Sequence, residues 1–262
     1  MIVAFRILVV LLFVFLLAPV LLVLPLAFSA ANNLAWPPSG WSLRWYAAIP
    51  AAPGLLGAAR NSLLLAAAAV LASLVIGIPA ALALERGRFP GRSALQVLLT
   101  APLLLPTIVL GLALLTVMVR LGLLATWPGL LFAHLTVTLP YAIRVLSTAI
   151  ATLPPGIEDA ANSLGAAPAA VFRRITFPLL LPGMIATAAI TFLVSFDEVV
   201  ISLFVVGPDL TTLPVALYRY VESRTDPLVA AISSLLIGLT LTVVLVLDRA
   251  VGLHRAVGGR PG

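Results

Sequence analysis

Cysteine and lysine are both absent from this 262-residue chain, and histidine occurs only twice, at His134 and His254. Without cysteine there are no disulfides, cysteine-based zinc sites, iron–sulfur clusters or thiol nucleophiles. Without lysine there is no Walker-type phosphate loop, whose mechanics need an ammonium on the β/γ-phosphates. The chain therefore does not bind ATP by that route. Two histidines leave little for a metal centre, and none is expected. Charge is scarce too: 9% of residues are charged and 62% hydrophobic, with a mean hydropathy of +1.21. A soluble domain is about half apolar and about a quarter charged, so that class is excluded. What remains is a polytopic membrane protein.

The charges that do occur sort the chain. Stretches free of Asp, Glu and Arg run 7–28, 61–84, 93–119, 121–143, 175–196 and 227–247. A hydrocarbon core about 30 Å thick needs about 20 helical residues, and each stretch is long enough. Continuous apolar runs, rather than alternating ten-residue segments, select helices over a barrel. The expectation is an all-α bundle of six transmembrane helices in a single domain over 1–262. The spans fall at about 7–28, 61–84, 94–119, 128–150, 179–206 and 227–248. The first stretch follows Arg6 and precedes small residues, as a signal peptide would. Its apolar part exceeds the usual h-region, so a retained first helix is expected.

All 15 basic residues are arginine, and their bias across short loops sets orientation. With the N-terminus in the cytoplasm, Arg6, Arg86, Arg88, Arg92, Arg144, Arg173, Arg174, Arg249, Arg255 and Arg260 lie inside. Arg44, Arg60, Arg120, Arg219 and Arg224 lie outside. Ten against five places both termini in the cytoplasm. The net charge of +6 is then explained by topology and anionic headgroups. A nucleic-acid footprint would cluster on one face, and none is present.

Between the spans lie an outer segment, 29–60, whose Trp36, Trp41, Trp45 and Tyr46 suit an interfacial aromatic belt, a second outer loop at 207–226, and a long inner loop. Pro-Leu-Leu-Leu-Pro occurs twice, at 102–106 and 178–182; each copy is read as a helix start, where Pro is tolerated.

The inner loop, 153–178, reads as two short helices. Pro154 and Pro155 end the preceding span and open a helix, with Glu158 and Asp159 in its first turn, where carboxylates suit the dipole. Ile157, Ala160, Ala161 and Leu164 make one apolar face, and Gly165 sits where a left-handed cap is wanted. Pro168 opens the second helix, which carries Arg173 and Arg174 in its last turn and stops near Pro178. Such short helices need something to pack on. A membrane surface and a partner's groove both fit.

Glu158, Ala160, Ala161, Gly165, Ile175 and Pro178 resemble the EAA–glycine–isoleucine–proline signature of ABC-importer permeases, with one departure: the sequence reads Glu-Asp-Ala-Ala. Arg60-Asn-Ser62, the turn Leu84 to Arg92, Ala133-His134, Pro140-Tyr141, Ser195 to Ser202, Gly207-Pro208 and Thr212-Leu-Pro214 are similar to the second permease subunit of spermidine/putrescine-type importers. The resemblance covers about residues 1–250. It implies a type I importer permease fold and a bacterial inner-membrane location. It also implies a second homologous permease, an ATPase dimer beneath and an extracytoplasmic solute-binding protein. ATP and Mg would be held by the ATPase, with no cofactor and no catalytic residue in this chain. Glu158, Asp159, Ala160, Ala161, Gly165 and Arg173 would form the ATPase-docking elbow.

Asp197 and Glu198 interrupt the fifth span. A helix begun near Pro178 rises 1.5 Å per residue, which puts Asp197 roughly 28 Å up, toward the outer face. A carboxylate at that depth faces the bundle interior or water. It either attracts a cationic solute or fixes helices together, with Arg60 or Arg120 as partner. Adjacent residues point about 100° apart, so both cannot line one path. Ser195 and Thr107 are the further pathway candidates. Thr107 stands after Pro106, where polyamine-type relatives often carry an acid, so an aminophosphonate or another zwitterion stays open beside a polyamine. His134 is read as a packed, hydrogen-bonding residue. An ion-coupled secondary transporter would want paired broken helices and several buried titratable groups. An intramembrane hydrolase would want a nucleophile motif such as Gly-x-Ser-x-Gly, which does not occur.

Overall fold

The computed structural model describes residues 2–154 and 156–251, so Pro155, His254, Arg255 and Arg260 lie outside the described residues. No β-strand occurs among the described residues, only an isolated bridge between Ser29 and Trp41. In chain order the helices are α1 (Ile2–Ala27), α2 (Arg44–Ala48), α3 (Leu55–Arg86), α4 (Arg92–Thr100), α5 (Thr107–Leu121), α6 (Trp127–Ala151), α7 (Ile157–Ser163), α8 (Pro168–Val171), α9 (Phe177–Phe196), α10 (Val200–Val205), α11 (Leu213–Ser223) and α12 (Leu228–Val251). Five of these runs are long and apolar enough to cross a bilayer. A bent pair, Arg92–Leu104 with Thr107–Leu121, makes a sixth if it crosses as one span.

That pair departs from a continuous helix over 94–119. Its halves meet at 106°. Pro106 supplies the reason: it has no N–H and drives the residue before it out of the helical region. Leu105 is extended, with φ −90° and ψ 140°, and α5 restarts at Thr107. The two Pro-Leu-Leu-Leu-Pro copies thus adopt different structures, since the second lies within α9, with Pro178 at its start and Pro182 inside. The loop at 207–226, expected outside, contains a helix, α11.

Two compact units share the chain. The first takes in residues up to Gly57 together with Ala216–Thr242. Here the segment after α1 doubles back on itself: Ala30 N–H donates to the Gly40 carbonyl at 2.9 Å and Ser42 N–H to that of Phe28 at 2.7 Å. Tyr46 packs against Phe28, with ring centroids 5.2 Å apart, and its hydroxyl lies 2.7 Å from Ser234 Oγ. Trp36 and Trp41 stay largely exposed, whereas Trp45 and Tyr46 are half-buried. Tyr220 donates to Asp226 Oδ2 at 2.8 Å. Burial, followed by that hydrogen bond, raises the phenol's pKa, so it stays protonated.

The second unit, Ala58–Val215 with the chain from Val243 on, carries the candidate site. Its larger apolar core joins Leu65 of α3, Leu114 and Met118 of α5, Leu130 of α6 and Ile201 and Val205 of α10. A second cluster joins Ala81, Leu146, Ile150 and Leu180 from α3, α6 and α9. Helices in lipid gain little from apolar burial against one another and rely on close approach of small residues. Gly183 of α9 meets α6 in this way: a Cβ there would stand 2.4 Å from the Ala149 Cβ.

Candidate functional site

The first constellation is the elbow between α6 and α9. Gly156 turns the chain with φ +79° and caps α7, so the helix opens on this glycine and not on a proline, correcting the expectation. At the other end, Gly165 N–H donates to Asn162 O at 2.9 Å and Ala166 N–H to Ala161 O at 3.1 Å, while Gly165 takes φ +81°. These paired bonds are the Schellman closure, and they need a residue at ease in the left-handed region.

Beyond it, Pro168 opens α8 as expected, but the helix does not stop near Pro178. It passes through a π-helical turn, Phe172–Thr176, straight into α9, giving one helical run from Pro168 to Phe196. The widened turn is the physical reason. A proline ring clashes with the carbonyl four residues back in a regular α-helix. Here Phe177 N–H reaches back five residues to Phe172 O, so the turn that meets Pro178 is wider than a regular α-helical one. Arg173 lies exposed on this turn.

No residue of α7 is buried. Ala160 is exposed, Ala161 half-buried, and Leu164 is 89% exposed, so the elbow's apolar face is uncovered in the isolated chain. The two acids diverge. Glu158 Oε2 pairs with Arg86 Nη1 at the end of α3, 2.6 Å away, and its Oε1 accepts a hydrogen bond from Thr176 Oγ1. Asp159 is exposed and forms no ion pair among the described residues. A cavity of about 560 Å³ opens on one side of the Arg86–Glu158 pair, lined also by Glu85, Arg88, Arg92 and Asp159. A smaller one of about 200 Å³ lies beside Asn162, Phe172 and Thr176. A third, about 500 Å³, is lined by Glu85, Gln96, Thr100, Arg144, Ser147 and Thr148.

The second constellation is the break between α9 and α10. α9 ends at Phe196, residues 197–199 leave the helix, and α10 begins at Val200. Glu198 Oε1 accepts from Ile201 N–H at 2.9 Å, so this carboxylate caps α10. Asp197 is exposed at the end of α9 and pairs with no cation among the described residues. Neither Arg60 nor Arg120 is its partner.

His134, fully buried on α6, spans the break. Its Nδ1 lies 2.9 Å from Ser195 Oγ and its Nε2 3.0 Å from Ser202 Oγ. Ser202 donates its hydroxyl proton to Glu198 O at 2.8 Å. Nε2–H must therefore donate to Ser202, and Nδ1 accepts from Ser195, since a neutral imidazole offers one donor and one acceptor. Ser195 is buried in this network. Thr107, exposed, starts α5 just past the 106° bend, and α10 packs on α5. Arg86, Thr176 and Ser202 are functional candidates that the sequence did not single out as a group. Arg86 and Ser202 lay in segments that carried the family resemblance, whereas Thr176 was marked only by a polar side chain beside an apolar run.

Residues 73–254 match the family model described as the binding-protein-dependent transport system inner membrane component. The chain is 37% identical over 234 residues to the putrescine transport system permease protein PotI of Escherichia coli (strain K12), covering 86% of this chain and 83% of that protein. It is 30% identical to the spermidine/putrescine transport system permease protein PotC of the same strain, covering 89% and 88%. In fold it is similar to a chain of a bacterial ABC transporter involved in the import of the acidic polysaccharide alginate, with a TM-score of 0.70, 15% identity, and 94% and 95% coverage.

Proposed function

The chain belongs to the binding-protein-dependent transport system inner membrane components, and from that premise we propose that it forms half of an importer's pathway for a small amine of the polyamine type. It is a multi-pass, non-catalytic permease subunit of an ABC transporter. In the proposed assembly, a second homologous permease completes the pathway in a bacterial inner membrane. An ATPase dimer holds ATP and Mg below, and a solute-binding protein delivers from outside. The arginine bias supports cytoplasmic termini, with the elbow on the ATPase side.

The elbow's part follows from linkage. Nucleotide can bias the bundle only if α7 makes different contacts in the two ATPase states. The uncovered Ile157, Ala160 and Leu164 and the exposed Asp159 supply the surface for such contacts. The Schellman closure at Gly165 holds that surface in one shape.

The observation that carries the solute reading is Asp197, an exposed carboxylate without a cation partner among the described residues, at the break of a membrane-spanning helix. A charge placed so is costly unless it meets water or a counter-charge. A primary ammonium is such a counter-charge and brings its own donors. Glu198 is committed to capping α10, so one acid and not two is available from this chain. The test is ATP-driven uptake by the reconstituted assembly, with putrescine against a zwitterionic amino acid as competing solutes. Asp197→Asn is expected to cut cation uptake by about tenfold, the loss of about 1.4 kcal/mol, while sparing the zwitterion. Equal losses for both would assign Asp197 to structure. Transport by this chain alone, driven by an ion gradient, would overturn the whole reading.

A further inference from the structure

We infer that Glu158 is an internal strut of the permease and not a docking contact. It ties the elbow helix α7 to α3 through Arg86 and to α9 through Thr176. The inference rests on the transport reading above and separates two neighbouring carboxylates that the sequence could not tell apart.

Both oxygens of Glu158 are engaged. One meets a guanidinium at 2.6 Å, a charge-assisted hydrogen bond of the stronger kind, and the other takes the Thr176 hydroxyl. Its side chain is 23% exposed against 38% for Arg86, so water reaches the pair without separating it. Asp159, about 100° further round the helix, is exposed and forms no ion pair among the described residues, although it borders the same cavity as Arg88 and Arg92.

The surroundings make the pair a mechanical link. α7 buries no residue, so apolar packing does not hold its body to the bundle. The cavities of about 560 and 200 Å³ both border Arg86 and Glu158. The ion pair therefore borders both open spaces, and a displacement of α7 is passed on where the pair is anchored. One anchor is the last residue of α3. The other, Thr176, closes the π-helical turn, from which α9 runs without interruption to Phe196. There Ser195 holds His134 and Asp197 leaves the helix. A push on the elbow thus has, beside the covalent link through Pro168, a hydrogen-bonded route through this carboxylate to the start of the helix that ends at the break.

Two measurements test this. Because the chain has no native cysteine, Arg86→Cys with Glu158→Cys can be probed in native membranes by a short bifunctional thiol reagent. Cross-linking is expected, and its failure overturns the strut whatever the chain transports. In the assembled transporter with ATPase and solute-binding protein, Glu158→Gln and Arg86→Glu should each keep the ATPase subunits co-purifying. Each should lower solute imported per ATP hydrolysed about fivefold or more, the scale of an ordinary coupling free energy. The exchanged pair Arg86→Glu with Glu158→Arg should recover part of that loss. Detachment of the ATPase by Glu158→Gln while Arg86→Glu is silent, or an exchanged pair no better than either single change, makes Glu158 a docking residue and sinks the strut. Should the native assembly import nothing, the transport reading fails, and the cross-link alone decides the strut.

Discussion

His134 touches a serine on each side of the helix break, and its ring is the only group that joins α6 to both α9 and α10 by side-chain hydrogen bonds among the described residues. The arrangement converts three weakly polar side chains into a clamp. Ser195 lies just before the break and Ser202 just after it, so the imidazole sets the angle at which Asp197 is presented. Removing it should leave the buried Ser195 hydroxyl without its acceptor and Ser202 with Glu198 O alone. His134→Ala is expected to cost about 1–2 kcal/mol, the range for hydrogen bonds between helices in lipid, read as a lower unfolding temperature in detergent. His134→Gln, whose amide both donates and accepts, should lose less. An alanine variant as stable as the native chain would show that the clamp adds nothing. At this scale the sequence placed a hydrogen-bonding histidine correctly in kind. It could not name the partners, because they lie 61 and 68 residues away.

Among the elements, the elbow and the two broken spans show how proline and glycine act differently by context. Pro106 breaks its helix by 106°, whereas Pro178 is absorbed by a π-helical turn. The difference lies in what precedes each residue: Leu105 is driven extended, while Thr176 and Phe177 stay helical with a longer reach. Gly165 is the element-scale position with no substitute. A β-branched side chain at φ +81° costs about 1–2 kcal/mol for the left-handed backbone and would unseat the Ala166 to Ala161 bond. Gly165→Val should leave ATP hydrolysis in the assembly while uptake falls. Full ATP-driven uptake in that variant would count against the elbow as the coupling element. The sequence located this cap from one residue, because a left-handed terminus is a local backbone demand. It missed the fusion of α8 with α9, because a π-turn is an accommodation that no residue type specifies by itself.

For the whole molecule, orientation is the property that charge alone argues. The absence of cysteine makes it directly measurable. Single cysteines at Arg88→Cys and Asp209→Cys, treated in spheroplasts with a membrane-impermeant thiol reagent, should label at 209 and not at 88. The reverse pattern would invert the bundle and place the elbow on the side away from ATP. The same whole-molecule view accounts for the long list of exposed apolar residues along α1, among them Phe5, Phe13, Phe15 and Leu16. In lipid such a surface is satisfied as it stands, and a partner helix can add packing but little transfer free energy.

The sequence by itself determined the helical class, the membrane, the rough span positions and the elbow with its glycine cap. These follow from hydropathy and from local backbone geometry, which act over a few residues. Only the tertiary structure decided which acid does what. Glu158 and Asp159, like Asp197 and Glu198, are neighbours of one chemical type, and nothing local distinguishes them. Arg86 and Thr176 claim the first, Ile201 N–H claims the last, and the remaining two are left exposed, with no ion pair among the described residues. That division depends on which distant groups the fold brings within about 3 Å, the reach of a hydrogen bond.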